Sequence, residues 1–134
     1  MTTNMKDFFG EVICIYSREE AINDGILVDL MQDGTESLVK EAGFKYPVAM
    51  TSTAFEATVG SGELPVCQDV TGRLWDVLYM LMLSIKTGKA TGDTVYFKVS
   101  VYDGKKHNEV DLYSKCGPGD NAEPVLTIML VGED

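Results

Sequence analysis

The sequence predicts an α+β fold: short N-terminal strands and helices, then a central buried helix over about 72–87, packed on a C-terminal antiparallel β-meander. Two observations carry this. The run Arg73–Lys86 is apolar around most of a helical wheel, and the chain from Thr94 onward switches to strict alternation, with Val95, Phe97, Val99 and Val101 opposed to Thr94, Tyr96, Lys98, Ser100 and Tyr102. Helices come first and strands later, without β-α-β alternation.

"EVICIY", Glu11 to Tyr16, has strand composition and leads into "SREE", where Ser17 and Glu20 have capping-box spacing. A short helix over Arg18–Asp24 then stops at Gly25, and Ile26–Leu30 reads as a second extended segment. "TESLVKEAG" offers Thr35 or Asp33 as N-cap and Gly43 as a stop. "YPVAMTSTAFEATVG" repeats that grammar, with Thr53 and Glu56 at capping-box spacing, Gly60 beyond, and Pro47 forcing Tyr46 towards extended geometry. "GSGELPVCQD" is a loop from which Val66 and Cys67 reach towards the core.

On the central helix only Arg73, Asp76, Met80 and Ser84 form a mostly polar stripe, so the helix is expected to be covered on most sides, with Trp75 as a core anchor. Arg73 and Asp76, three apart, are expected to pair with each other. Asp103-Gly104 signals a hairpin, and Val110, Leu112, Ser114 and Cys116 alternate with Glu109, Asp111, Tyr113 and Lys115 on the return strand. Pro124–Val131 extends the meander, with Leu126, Ile128 and Leu130 on one face. No repeat or composition shift divides the 134 residues, which are read as a single domain over 1–134.

With 21 acidic and 11 basic residues the chain carries a formal charge of −10, which opposes direct nucleic-acid binding and contact with anionic membranes. Lys105, Lys106 and His107 are the only dense basic group and sit at the hairpin tip. Cys14, Cys67 and Cys116 are widely spaced, no signal peptide is evident, and the longest apolar run, Leu78–Ile85, is too short to span a bilayer; a cytoplasmic protein follows.

Chemistry is hard to place. A nucleophilic cysteine lacks a nearby base, and the spacing offers no zinc ligand set. "GSG" and "GPG" lack the lysine and the strand-to-helix setting of phosphate loops. Turn chemistry accounts for Gly117, Pro118, Gly119, Asp120 and Asn121 without a cation, so neither metal nor cofactor is expected. Asp29 interrupts the apolar run "ILVDLM", and plain alternation points it outward.

"IYSREEAINDGILVDL", "KEAGFKYPVAMTSTAF", "QDVTGRLWDVLYML" and "CGPGDNAEPVLTIMLVGED" together resemble an uncharacterised family of bacteria, plasmids and phages, domain-of-unknown-function family 6573. Matching positions include Ser17, Arg18, Gly25, Asp29, Gln68, Asp69, Gly72, Arg73, Trp75, Asp76, Gly119, Asp120 and Glu123, whereas Thr94–Lys115 departs from the pattern. The resemblance implies no activity and no catalytic residue. Its mobile-element setting leaves two function classes. One is a non-enzymatic accessory protein that binds a basic protein partner; the other is a small enzyme with a pocket near Arg73, Asp76 and the 117–123 turn. Arg18, Asp29, Arg73, Asp76, Asp120 and Glu123 are the candidate interaction or pocket residues, and the turn at Asp120 and Glu123 is expected to display a rigid acidic patch.

Overall fold

In a computed structural model of the chain, residues 17–60, 68–88 and 90–132 are described. The expected strand Glu11–Tyr16 and the Val66–Cys67 segment lie outside them.

The first helix, α1 (Arg18–Asn23), begins with the capping box: the Ser17 hydroxyl accepts the Glu20 N–H at 2.9 Å, and the Glu20 carboxylate accepts the Ser17 N–H at 3.2 Å. It ends at Gly25, whose φ of +78° few other residues tolerate. Strand β1 (Leu27–Asp29) follows, then α2 (Glu36–Glu41), with Thr35 at its N-cap position. The Thr35 hydroxyl does not cap that helix but donates to the Leu30 carbonyl at 2.7 Å.

The next stretch corrects the sequence reading. "VAMT" is a strand, β2 (Val48–Thr51), and helix α3 (Ser52–Thr58) takes Thr51 as its N-cap in place of Thr53; the Thr51 hydroxyl accepts the Ala54 N–H at 3.2 Å. All of β2 is buried, so no polar alternation marks it as a strand.

Helix α4 (Val70–Lys86) is held at its start by the Asp69 carboxylate, which accepts the Gly72 N–H at 2.6 Å. Strands β3 (Ala90–Thr91), β4 (Thr94–Tyr102), β5 (His107–Pro118) and β6 (Pro124–Leu130) complete one mixed sheet of order β1-β2-β6-β5-β4-β3. The β4–β5 hairpin has the expected register, Thr94 opposite Lys115 and Tyr102 opposite His107, and β6 pairs antiparallel with β5. Beyond the expected meander, β6 also pairs parallel with β2, which joins the two halves of the chain. The fold is α+β.

One face of the sheet carries Val48, Met50, Val95, Phe97, Val99, Leu112 and Ile128 into a core completed by Leu74, Val77, Leu78 and Leu81 of α4. Helix α4 packs on the sheet and against α2 and α3, and keeps one solvent-facing stripe. Ser84, read as part of the mostly polar stripe, is buried, while Tyr79 is 51 % and Leu83 is 40 % exposed. Trp75 is not a core anchor: it is half-buried, outside the core cluster, and packs its ring 6.3 Å from that of Tyr79. No helix among the described residues is long and apolar enough to cross a membrane.

Candidate functional site

Cross-strand register lines up Asp29, Ala49, Thr127, Lys115 and Thr94 on the sheet face opposite the core. Arg18 lies over this row. Its guanidinium donates to the Thr127 hydroxyl at 2.8 Å and the Leu126 carbonyl at 3.0 Å. Burial lowers the Arg18 pKa, and the negative charges of Asp29, Asp120 and Glu123 act the other way.

The 117–123 turn closes onto the same helix. The Asp120 carboxylate accepts the N–H groups of Arg18 at 2.7 Å and Glu19 at 3.1 Å, two donors that the first turn of a helix leaves without internal partners. Glu123 turns back on its own loop and accepts the Asn121 N–H at 2.8 Å. A Cβ on Gly119 would stand 2.6 Å from that carboxyl group, so a larger residue there would push the Glu123 side chain aside. The turn therefore bolts α1 to the sheet. Asp120 and Glu123 are solvent-exposed, and the oxygens of Asp120 are engaged by the start of α1. Asp29 is half-buried, and its carboxylate accepts the Met31 N–H at 2.9 Å.

Arg73 belongs to a second cluster. Its guanidinium donates to Gln68 Oε1 at 3.3 Å, to the Val59 carbonyl at 3.4 Å and to the Tyr102 carbonyl. The expected Arg73–Asp76 pair does not form, because the guanidinium is turned towards the end of β4. Asp76 sits on the adjoining, solvent-facing stripe of α4, and no described cation pairs with it. Partial burial still raises its carboxyl pKa above the ordinary value.

Of the six candidate residues, Arg18, Asp29, Asp120 and Glu123 thus come together at α1 and the turn, while Arg73 and Asp76 stand apart on α4. The two cavities described gather none of the six. The larger, about 430 Å³, lies among Met80 and Ser84 of α4, Tyr96, Phe97 and Lys98 of β4, Asp111 and Leu112 of β5, and Val131. A smaller one of about 240 Å³ is lined by Phe44, Met82, Ile85, the half-buried free Cys116 and neighbours. The described residues hold no group of three or more His, Cys, Asp or Glu side chains suited to a metal ion.

Sequence reasoning missed the solvent stripe of α4, which runs through Gly72, Asp76, Tyr79 and Leu83 with Trp75 beside it. The signal was present as exposed-side apolar residues at helical spacing, but it was read as core.

A family model described as "Family of unknown function (DUF6573)" matches residues 5–134. No curated protein matches, and no solved structure does.

Proposed function

We propose, for a chain that belongs to DUF6573, a family of unknown function, that it works without catalysis as an acidic accessory protein that docks a basic protein on the solvent stripe of α4. One observation carries this reading: Tyr79 and Leu83 are 51 % and 40 % exposed on a helix whose other side is core. Large apolar side chains at helical spacing, with an aromatic neighbour in Trp75 and, in Asp76, a carboxylate that no described cation pairs with, have the composition of a protein interface.

The net charge of −10 supports a basic partner, whose approach it would accelerate, and speaks against direct binding of nucleic acid. A reduced cytoplasmic setting suits the free thiol of Cys116. The accessory role within a bacterial mobile-element or phage-related locus rests on the ordered sequence blocks that resemble the family. The enzymatic alternative loses its geometric basis, since Arg73 and the 117–123 turn belong to different clusters.

Capture from a bacterial lysate tests the proposal. A partner retained by the wild type should be lost with Tyr79→Ser/Leu83→Ser and weakened by added salt. Retention that is indifferent to both contradicts it.

A further inference from the structure

The open edge of the sheet runs beside α4. Two hydrogen bonds bracket the β4–β5 hairpin, Cys116 N–H to the Asp93 carbonyl at 2.9 Å and Asp103 N–H to the Lys106 carbonyl at 3.1 Å. With the register between them, they fix the phase of the ladder: Val95, Phe97, Val99 and Val101 turn their backbone groups to β5, and Tyr96, Lys98 and Ser100 turn theirs away. Strand β3 pairs with Thr94 and Val95, and because Val95 turns its groups to β5 that second pair takes up the outward side of Tyr96, so Lys98 and Ser100 are the two left beyond β3. Among the described residues nothing bonds their outward backbone groups. Arg73 closes the far end by donating to the outward carbonyl of Tyr102.

Helix α4 forms the second wall. Arg73, Met80 and Ser84 follow one another along one side of it, with Arg73 at Tyr102 and Met80 and Ser84 at the cavity that Tyr96, Phe97 and Lys98 also line. A strand edge, a parallel helix wall and a cavity of about 430 Å³ are the parts of a groove that reads extended peptides: the edge supplies main-chain bonds and the cavity takes a side chain.

We infer that this groove binds an extended segment of a partner protein, which adds to β4 as a strand along Lys98–Ser100 and seats one large apolar side chain in the cavity between Met80, Ser84, Phe97 and Leu112. The segment carries a basic residue towards Asp76, the carboxylate left without a described cation on the adjoining helix stripe. A second copy of the chain fits less well. It would bring together two molecules of charge −10, and antiparallel pairing centred on Lys98 would set that lysine against its symmetry mate. The inference rests on the protein-binding reading for the class of ligand, but it names a different contact from the Tyr79–Leu83 stripe.

The probe is a phage-displayed library of random decapeptides, followed by amide-exchange NMR of the full chain with the strongest selected peptide. In the free protein, the amides of Lys98 and Ser100 should exchange quickly while those of Phe97 and Val99 are protected. Selected peptides should carry an apolar anchor and a basic residue, and should slow exchange at Lys98 and Ser100 by about tenfold or more. Ser84→Trp, which fills the cavity, and Lys98→Pro, which deletes an outward N–H without touching the β5 ladder, should each weaken the peptide by about tenfold or more. If Ser84→Trp does not fold, Lys98→Pro and the wild-type exchange pattern carry the test. Peptides that perturb Tyr79 and Leu83 but leave the β4 amides exchanging overturn strand addition and leave the docking stripe standing. A library that enriches nothing also overturns strand addition, while the stripe is judged separately by lysate capture.

Discussion

The carboxylate of Asp120 accepts the backbone N–H of Arg18 at 2.7 Å across 102 positions of sequence. With the companion bond from Glu19, it ties a helix near the start of the described chain to the turn before its last strand. Asp120→Ala should therefore cost about 1 kcal/mol, the usual cost of losing a helix N-terminal acceptor, whereas Asp120→Asn keeps one acceptor oxygen and should cost less. Urea denaturation of the two variants measures the difference.

Gly119→Ala should destabilise by displacing the Glu123 carboxylate from the Asn121 N–H, a loss of about 0.5–1.5 kcal/mol. In Glu123→Ala the same substitution should cost much less. The double-mutant cycle reads that coupling directly.

Arg73→Ala should remove the donor that holds the Tyr102 carbonyl and cost about 1.5–3 kcal/mol, with faster amide exchange at the Tyr102 end of β4. Lysine cannot reproduce a guanidinium that reaches Gln68, Val59 and Tyr102 together, so Arg73→Lys should recover only part of the loss.

Two truncations on α4 separate its faces. Leu78→Ala opens the core and should cost about 2–5 kcal/mol, whereas Trp75→Ala, on the half-buried flank, should cost less despite the larger side chain. Equal costs would return Trp75 to the core.

Acid should loosen the β4–β5 turn late. Asp103 accepts the N–H groups of Lys105 and Lys106 and the Asn108 side-chain amide, and these bonds lower its pKa from 3.8 to about 2. A carboxylate whose pKa falls on folding stabilises the native state above its unfolded value, and that contribution disappears as pH drops through the folded one. NMR titration of Asp103 should therefore show its transition near pH 2 and a loosening of the turn between 3.8 and about 2. Asp76 has the opposite sign: its raised pKa makes the ionised form a liability at neutral pH, so Asp76→Asn should leave the fold as stable as the wild type or more so.

Much of the fold was legible because local chemistry and tertiary structure agree. The Ser17–Glu20 box starts α1, Gly25 and Gly43 end their helices at positive φ, and the alternation of β4 and β5 becomes their burial pattern. Strand β2 was hidden because four wholly buried residues show no period, and its parallel partner β6 lies far along the chain. The site was less legible. Arg18 and Asp120 meet only through the sheet, and three-residue spacing suggested an Arg73–Asp76 pair that the pull of the Tyr102 carbonyl overrides. An apolar helix face also reads the same in sequence whether it meets a core or a partner, as Tyr79 and Leu83 show.

The most direct test of a docking surface on α4 is a hydrogen–deuterium exchange footprint of the full chain with and without the partner retained by lysate capture. The account predicts that protection centres on α4, at the stripe of Asp76, Tyr79 and Leu83 and its β4 flank, with α1 and the 117–123 turn unchanged. Protection confined to α1 and the turn around Asp120 would contradict it and move the interface to the opposite face of the sheet.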